Sequence, residues 1–320
     1  MVCERCAYRY NVAPKPGSCP VCYNIFEKLE SLQGLEGKAA IRISGFNEEN
    51  YLFNPRSTLA SDIRKFILER NNLVLDYDNA ETIINVTPEG YSLEKGDLFL
   101  FGRYFKLKNM ISQKRWHRKK WNSVEEIIGD YLSQIYKPKA YYMHASGRED
   151  VDAFNIGGRA FVMELQKPES FQDFQGLIET PEVVAIIYGK VPRSFVKLVS
   201  DSHFDKLYLC HHDPFSPEER KKLESTFQNL VISQYTPKRV ENRRAKKTRK
   251  KTVYWVKSFE TFTYVAAEAG TYIKELFHGD EGRTTPSFSE VLGREVRCRD
   301  LTVVKTWDFF LDVLKNVRER

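Results

Sequence analysis

The chain has 320 residues, enough for about two domains and a sizeable core, and its 42% apolar and 29% charged composition excludes wholesale disorder. No stretch approaches the roughly 20 apolar residues that span a bilayer, and the opening Met-Val-Cys-Glu-Arg-Cys has no signal-peptide core, so neither membrane insertion nor secretion is expected and the cytoplasm is the expected compartment. The net charge is +7, but residues 238–251 hold nine Lys or Arg against one Glu, so one segment carries the basic character.

Cysteines come first along the chain. Cys3-x2-Cys6 and Cys19-x2-Cys22 are two tight thiol pairs. Two such turns complete a tetrahedral all-sulfur shell, which zinc prefers. Pro14, Pro16, Gly17 and Pro20 keep the intervening stretch in turns. The expectation is a small structural zinc module over residues 1–37, with metal binding supplying its folding free energy. Disulfides and an iron–sulfur cluster are the alternatives. Cys210 and Cys298 stand alone and read as small buried residues.

Residues 38–136 read as mixed α/β. A strand is predicted over 39–44, and Ile63, Phe66 and Ile67 recur at helical spacing. Leu73–Leu75 begins another strand, and Leu98–Phe101 a further one ending at Gly102-Arg103-Tyr104. Lys114-Arg115-Trp116-His117-Arg118-Lys119-Lys120 then mixes cations with an aromatic, which suits a phosphate backbone and an unstacked base. A charged loop with one anchored Trp reads equally well. Ser123 and Glu126 form a capping box for a helix whose apolar stripe is Val124, Ile127, Ile128, Tyr131, Leu132 and Ile135.

From about residue 139 the chain reads as one larger α+β domain. Val183–Tyr188 is a buried strand by composition. Ser216-Pro217-Glu218-Glu219 opens a helix, with Leu223, Phe227 and Leu230 as its apolar face. A strand from Val231 through Tyr235 leads into the basic segment, which is either a polyanion site or a solvated loop. Three clusters are candidates for chemistry. Gly147-Arg148-Glu149-Asp150-Val151-Asp152 could present an acid at a sheet edge, or be a solvated acidic turn. Tyr208 lies in a short strand, and Gly270 and Gly279 bracket a helical turn containing Tyr272 and Lys274; both also read as ordinary core and surface. There is no GxxxxGK[ST], no GxGxxG after a strand, no HExxH and no GxSxG, so nucleotide, metalloprotease and serine-hydrolase sites are unsupported.

Taken together, these clusters resemble the pseudouridine synthases, in particular the Pus-ten family of archaeal and eukaryotic tRNA enzymes. The motifs are the paired CxxC, Gly102-Arg103-Tyr104 with Gln113 and Trp116, Ser123-Val124-Glu125-Glu126, Gly147 to Ala153, Gln234-x-Thr236-Pro237-x-Arg239-Val240 with Arg243-Arg244, and Ala269 to Gly279 with Gly282-Arg283-Thr284. The resemblance implies an α+β fold: a pseudouridine synthase catalytic domain with a central mixed sheet over 137–320, a THUMP-like α/β domain over 38–136, and the four-cysteine module over 1–37. It implies isomerisation of uridine in the tRNA T-arm, at position 54, 55 or both, by a monomer with no organic or nucleotide cofactor. Asp150 would be the essential acid, nucleophile or base. Arg148 would hold the flipped nucleotide. Tyr208 would pack on the base, Tyr272 would line the uracil pocket, and Lys274 would pair with Asp150. Lys114, Arg115, Lys238, Arg239, Arg243 and Arg244 would grip tRNA phosphates. A non-catalytic zinc-containing tRNA-binding protein on the same fold is the alternative. Phe154 departs from the family pattern, which carries an arginine there.

Overall fold

The structure, a computed structural model, describes residues 2–47, 58–116, 122–242 and 244–318. His117 to Lys120 and Arg243, expected in the RNA grip, lie outside the described residues.

Short helices α1 (Glu4–Tyr10) and α2 (Ile25–Lys28) accompany the four cysteines. The next element, β1 (Glu36–Ile43), is followed by α3 (Leu59–Leu68), which Thr58 caps by accepting from the Ser61 amide. Strands β2 (Asn72–Leu75), β3 (Thr82–Thr87) and β4 (Gly90–Lys95) complete a small sheet in the order β2-β1-β3-β4. The predicted stripe Ile63, Phe66 and Ile67 is buried with Ile41, Ile84 and Val86 of the sheet. Cys6, Cys19, Cys22, Ile25 and Leu29 join the same core, and Phe26 meets Phe66 edge to face at 5.3 Å. Cysteine module and small sheet therefore share one core.

The rest of the chain builds a larger sheet. Its first elements are β5 (Leu98–Lys106), α4 (Val124–Tyr136), β6 (Ala140–Ala145) and β7 (Ala153–Gln166). β8 (Gly176–Glu179), β9 (Val183–Lys190), α5 (Ser194–Ser200) and β10 (Lys206–His211) follow. Then come α6 (Pro217–Thr226), β11 (Leu230–Tyr235), β12 (Thr248–Ser258) and β13 (Phe262–Ala267). The chain closes with α7 (Ile273–His278), β14 (Thr284–Thr285), α8 (Phe288–Leu292), β15 (Asp300–Thr306) and α9 (Phe310–Arg318). The strand order is β14-β11-β12-β13-β10-β15-β7-β5-β9-β8, with β6 also paired to β7. β15 and β7 run parallel while the other recorded pairs of this sheet are antiparallel, so the central sheet is mixed, as expected.

Two sequence expectations are corrected here. The sheets divide between Lys95 and Leu98, not at residue 136: β5 lies between β7 and β9, and Leu98 and Tyr104 share a core with Val124, Ile128 and Leu132 of α4. And β5 does not stop at Gly102 but continues to Lys106. Gly102 permits this, because a Cβ there would sit 2.7 Å from the Ile186 carbonyl oxygen and 2.8 Å from the Phe161 ring. On the other face of β5, Phe99 and Phe101 pack with Phe195 of α5 and Phe310 of α9. Each such buried side chain contributes on the order of 1.5–3 kcal/mol. The β10–β13 half buries its own core beneath α6, α7 and α8. The predicted capping box of Ser123 with Glu126 is present, and the predicted helix opening at Ser216 also forms one, with Glu219. No helix among the described residues is long and apolar enough to cross a membrane.

Candidate active site

The acidic cluster is the loop between β6 and β7, and it leaves the sheet where the sheet splits. β7 pairs with β6 through Phe161–Gln166 and with β15 through Ala153–Asn155. Gly147 turns the chain at a φ of 77°, a left-handed conformation that favours glycine. The loop is then fastened from beneath through its carbonyl groups. Arg159 Nη1 donates to Ser146 O at 2.6 Å and Gln113 Nε2 to Gly147 O at 2.9 Å. Lys106 Nζ donates to Asp150 O at 3.1 Å and Val151 O at 2.8 Å.

Glu149 corrects the reading of a solvated acidic turn: its side chain is buried. Both its oxygens accept from the Tyr104 hydroxyl, at 2.7 and 2.9 Å, and it pairs with Arg159 at 2.6 Å. Burial alone would raise the Glu149 carboxyl, but the Arg159 charge, the Tyr104 hydrogen bond and the Lys106 charge outweigh it and lower its pKa. Burial raises Tyr104 well above the usual phenol range.

Asp150 faces outward, with its side chain 30% exposed. Its close partner is Arg239, whose Nη1 donates to Oδ1 at 2.7 Å. Lys274 lies 4.0 Å from Asp150 but 2.6 Å from both oxygens of Asp152, so its main pairing is with Asp152 rather than Asp150. Burial pushes the Asp152 carboxyl up, and the hydrogen bond and charge of Lys274 more than reverse it. Arg239 also donates through Nε to Glu275 Oε1 at 2.7 Å. Glu275 is buried on α7, so Arg239 bridges a buried and an outward-facing acid. Burial opposes the charge on Arg239, yet Glu275 and Asp150 raise its pKa overall. Arg239, expected on a tRNA phosphate, bonds Asp150 and Glu275 in this structure.

Tyr208 on β10 is buried in the core beside Ala153, and burial lifts its hydroxyl to about 12, with Asp150 adding to the effect. Tyr272 precedes α7, its main chain clasped by Gln234, which accepts from its amide and donates to its carbonyl, both at 2.9 Å. Arg148 is exposed on the same loop as Asp150. The sequence reading missed Tyr104, Lys106, Gln113 and Arg159 as supports. The signal was present in phase: Leu98, Leu100, Tyr104 and Lys106 fall on one face of β5, so a lysine occupies a buried position.

The basic segment is a folded connection rather than a solvated loop. Thr236 Oγ1 donates to Ala245 O at 2.7 Å and accepts from the Lys247 amide at 3.1 Å and from Arg249 at 3.0 Å. Lys238 pairs with Glu281 at 3.0 Å and Lys251 with Glu268 at 2.8 Å, while Arg244 is exposed. Lys114, Arg115 and Trp116 are exposed, and Arg115 lies 3.4 Å from Glu126.

Away from this site, the ligand atoms of Cys3, Cys6, Cys19 and Cys22 all lie within 4.8 Å of one another. Hydrogen bonding with Cys6 lowers Cys22 to about 5, while burial raises Cys3 to about 11. Cys210 and Cys298 are not isolated: they are paired as a disulfide across 88 residues of sequence. Cys210 lies beside β15, whose start at Asp300 brings Cys298 within reach.

Residues 99–306 match the family described as Pus10, C-terminal. The chain is 30% identical to the tRNA pseudouridine synthase Pus10 of Picrophilus torridus, over 93% of this chain and 88% of that one. It is also 30% identical to the same-named protein of Methanocaldococcus jannaschii, over 91% of this chain and 76% of that one. Among solved structures, a Cbf5-Nop10-Gar1 complex shares 15% identity at a TM-score of 0.38, over 64% of this chain and 48% of that one. With the match spanning the acidic loop, Arg239 and α7 alike, the chain belongs to the Pus10 family and is a pseudouridine synthase.

Proposed function

We propose that this enzyme isomerises uridine to pseudouridine in the tRNA T-arm, at position 54, 55 or both, with Asp150 as its essential acid. In that reaction the bond between N1 and the ribose C1′ breaks, the base turns, and C5 bonds to C1′. The proton on C5 leaves and N1 gains one. A single carboxylate beside the ribose can serve either as nucleophile at C1′ or as the base for that proton. The observation that supports Asp150 is its place: an outward carboxylate at the split of the sheet, between Arg239 at 2.7 Å and Lys274 at 4.0 Å. Arg148 on the same loop suits a flipped nucleotide, and the half-buried Tyr272 suits the wall of a uracil pocket. Exposed Lys114, Arg115, Lys238 and Arg244 suit phosphate contacts, and the sheet of residues 36–95 suits a THUMP-like RNA-binding unit.

Pseudouridine mapping on an unmodified tRNA transcript tests this. Wild type should place product in the T-arm and Asp150→Asn should place none. Product from both would exclude Asp150.

We also propose that the cysteines hold one structural zinc ion. With Zn–S bonds of about 2.3 Å, a tetrahedral site needs sulfurs roughly 3.8 Å apart. Sulfurs within 4.8 Å of one another, with Cys3 and Cys22 at 3.5 Å, need only small shifts to close on an ion. All four positions are taken by protein, so the ion would fold the module, not react. One zinc per chain, lost on changing the four cysteines to serine together with the N-terminal fold, is expected. No zinc and an intact fold in that variant would refute it.

A further inference from the structure

We propose that Lys106 is a positioning residue for Asp150, fixing the main chain of the reactive loop from inside the protein. The proposal rests on Asp150 being the essential acid. Lys106 is fully buried, and its ammonium bonds two main-chain carbonyls, Asp150 O at 3.1 Å and Val151 O at 2.8 Å. A buried ammonium gives up its hydration, and an apolar side chain of similar size would fill the same volume without that cost. Simple packing therefore does not account for a lysine here. Its length does: β5 ends at Lys106, and the side chain reaches from the sheet to the loop's reactive end.

The neighbouring supports act elsewhere. Arg159 and Gln113 hold Ser146 O and Gly147 O, at the start of the loop. Asn155, opposite Lys106 on β7, is buried but makes no side-chain hydrogen bond. The Ala153 amide bonds Asp150 O from the main chain, so among the described residues Lys106 is the side chain that ties the main chain of residues 150 and 151 down. Arg239 and Lys274 act on the carboxylate and set its direction, whereas Lys106 sets where its Cα stands. A displacement of about 1 Å at a reacting group can lower a rate on the order of 10²-fold.

The experiment is single-turnover pseudouridine formation on saturating unmodified tRNA transcript, alongside the Kd for that transcript, for full-length wild type, Asp150→Asn and Lys106→Met. Lys106→Met should lose on the order of 10²-fold in rate with Kd within about twofold of wild type. Should Lys106→Met not fold, Lys106→Gln, one bond shorter and uncharged, is read by the same two numbers. A folded variant with a wild-type rate overturns the proposal, as does a rate loss matched by an equal loss of affinity. If Asp150→Asn makes product at the wild-type rate, the reading of Asp150 fails and this proposal with it. If Asp150→Asn is inactive while Lys106→Met is wild type, only the role of Lys106 fails.

Discussion

The acidic loop 146–152 and the basic segment 238–251 meet at Asp150, but they are fastened in opposite ways. The acidic loop is held from below by buried groups: Tyr104, Lys106, Gln113 and Arg159. The basic segment is held at one point by the buried Thr236 hydroxyl and otherwise by lysine ion pairs nearer the surface, Lys238 with Glu281 and Lys251 with Glu268. Low surrounding polarity strengthens the first set, and solvent and salt screen the second. A reacting carboxylate needs a fixed place, whereas a polyphosphate chain needs cations that can adjust. Arg239 is where the two meet, one guanidinium shared by a buried acid and an outward one.

Glu149→Ala should break this contrast most severely. It leaves Arg159 buried without its partner, so urea unfolding should show a loss of about 3–5 kcal/mol. Lys106 gives a signature in pH. Burial brings its pKa down from 10.5 to about 8. Between those values the unfolded chain holds a proton that the folded chain has released. Stability attributable to Lys106 should therefore rise with pH from about 8 to 10.5, by at most about 3 kcal/mol, and the rise should be missing from Lys106→Met. Arg239→Ala leaves the buried Glu275 carboxylate without its donor. About 1–3 kcal/mol should be lost, with a slower reaction as Asp150 loses its closest partner. Lys238→Ala tests the surface side. Stability should change by less than about 0.5 kcal/mol, while tRNA affinity falls and its dependence on log salt weakens by about one unit. A large stability loss from Lys238→Ala, or a small one from Glu149→Ala, would erase the distinction.

What the sequence made legible was local. The Ser123–Glu126 and Ser216–Glu219 caps act within one turn, and the α3 stripe repeats within three. The CxxC pairs bring their sulfurs together through turns of a few residues. The rest depended on register. Glu149 and Lys106 look like surface residues by composition, and only the pairing of Lys106 with Asn155 places the lysine under the loop. Cys210 and Cys298 are neighbours only because β10 pairs with β15. The resemblance led to Asp150, Tyr208, Tyr272 and Lys274, but not to the exchange in which Arg239 takes Asp150 and Lys274 takes Asp152. Such a choice between cations within a few ångströms is a matter of side-chain geometry.

The parallel pairing of Ala153–Asn155 with Leu301–Val303 has a consequence in time. The two strands are among the most distant partners along the chain, and contacts of that kind form late because a long loop must close first. The sheet around Asp150 is thus finished only when β15 docks. During synthesis the acidic loop, α7 and the basic segment all emerge from the ribosome before the strand that sets the floor of the site. A nascent chain can offer cations to RNA well before it can offer a settled carboxylate.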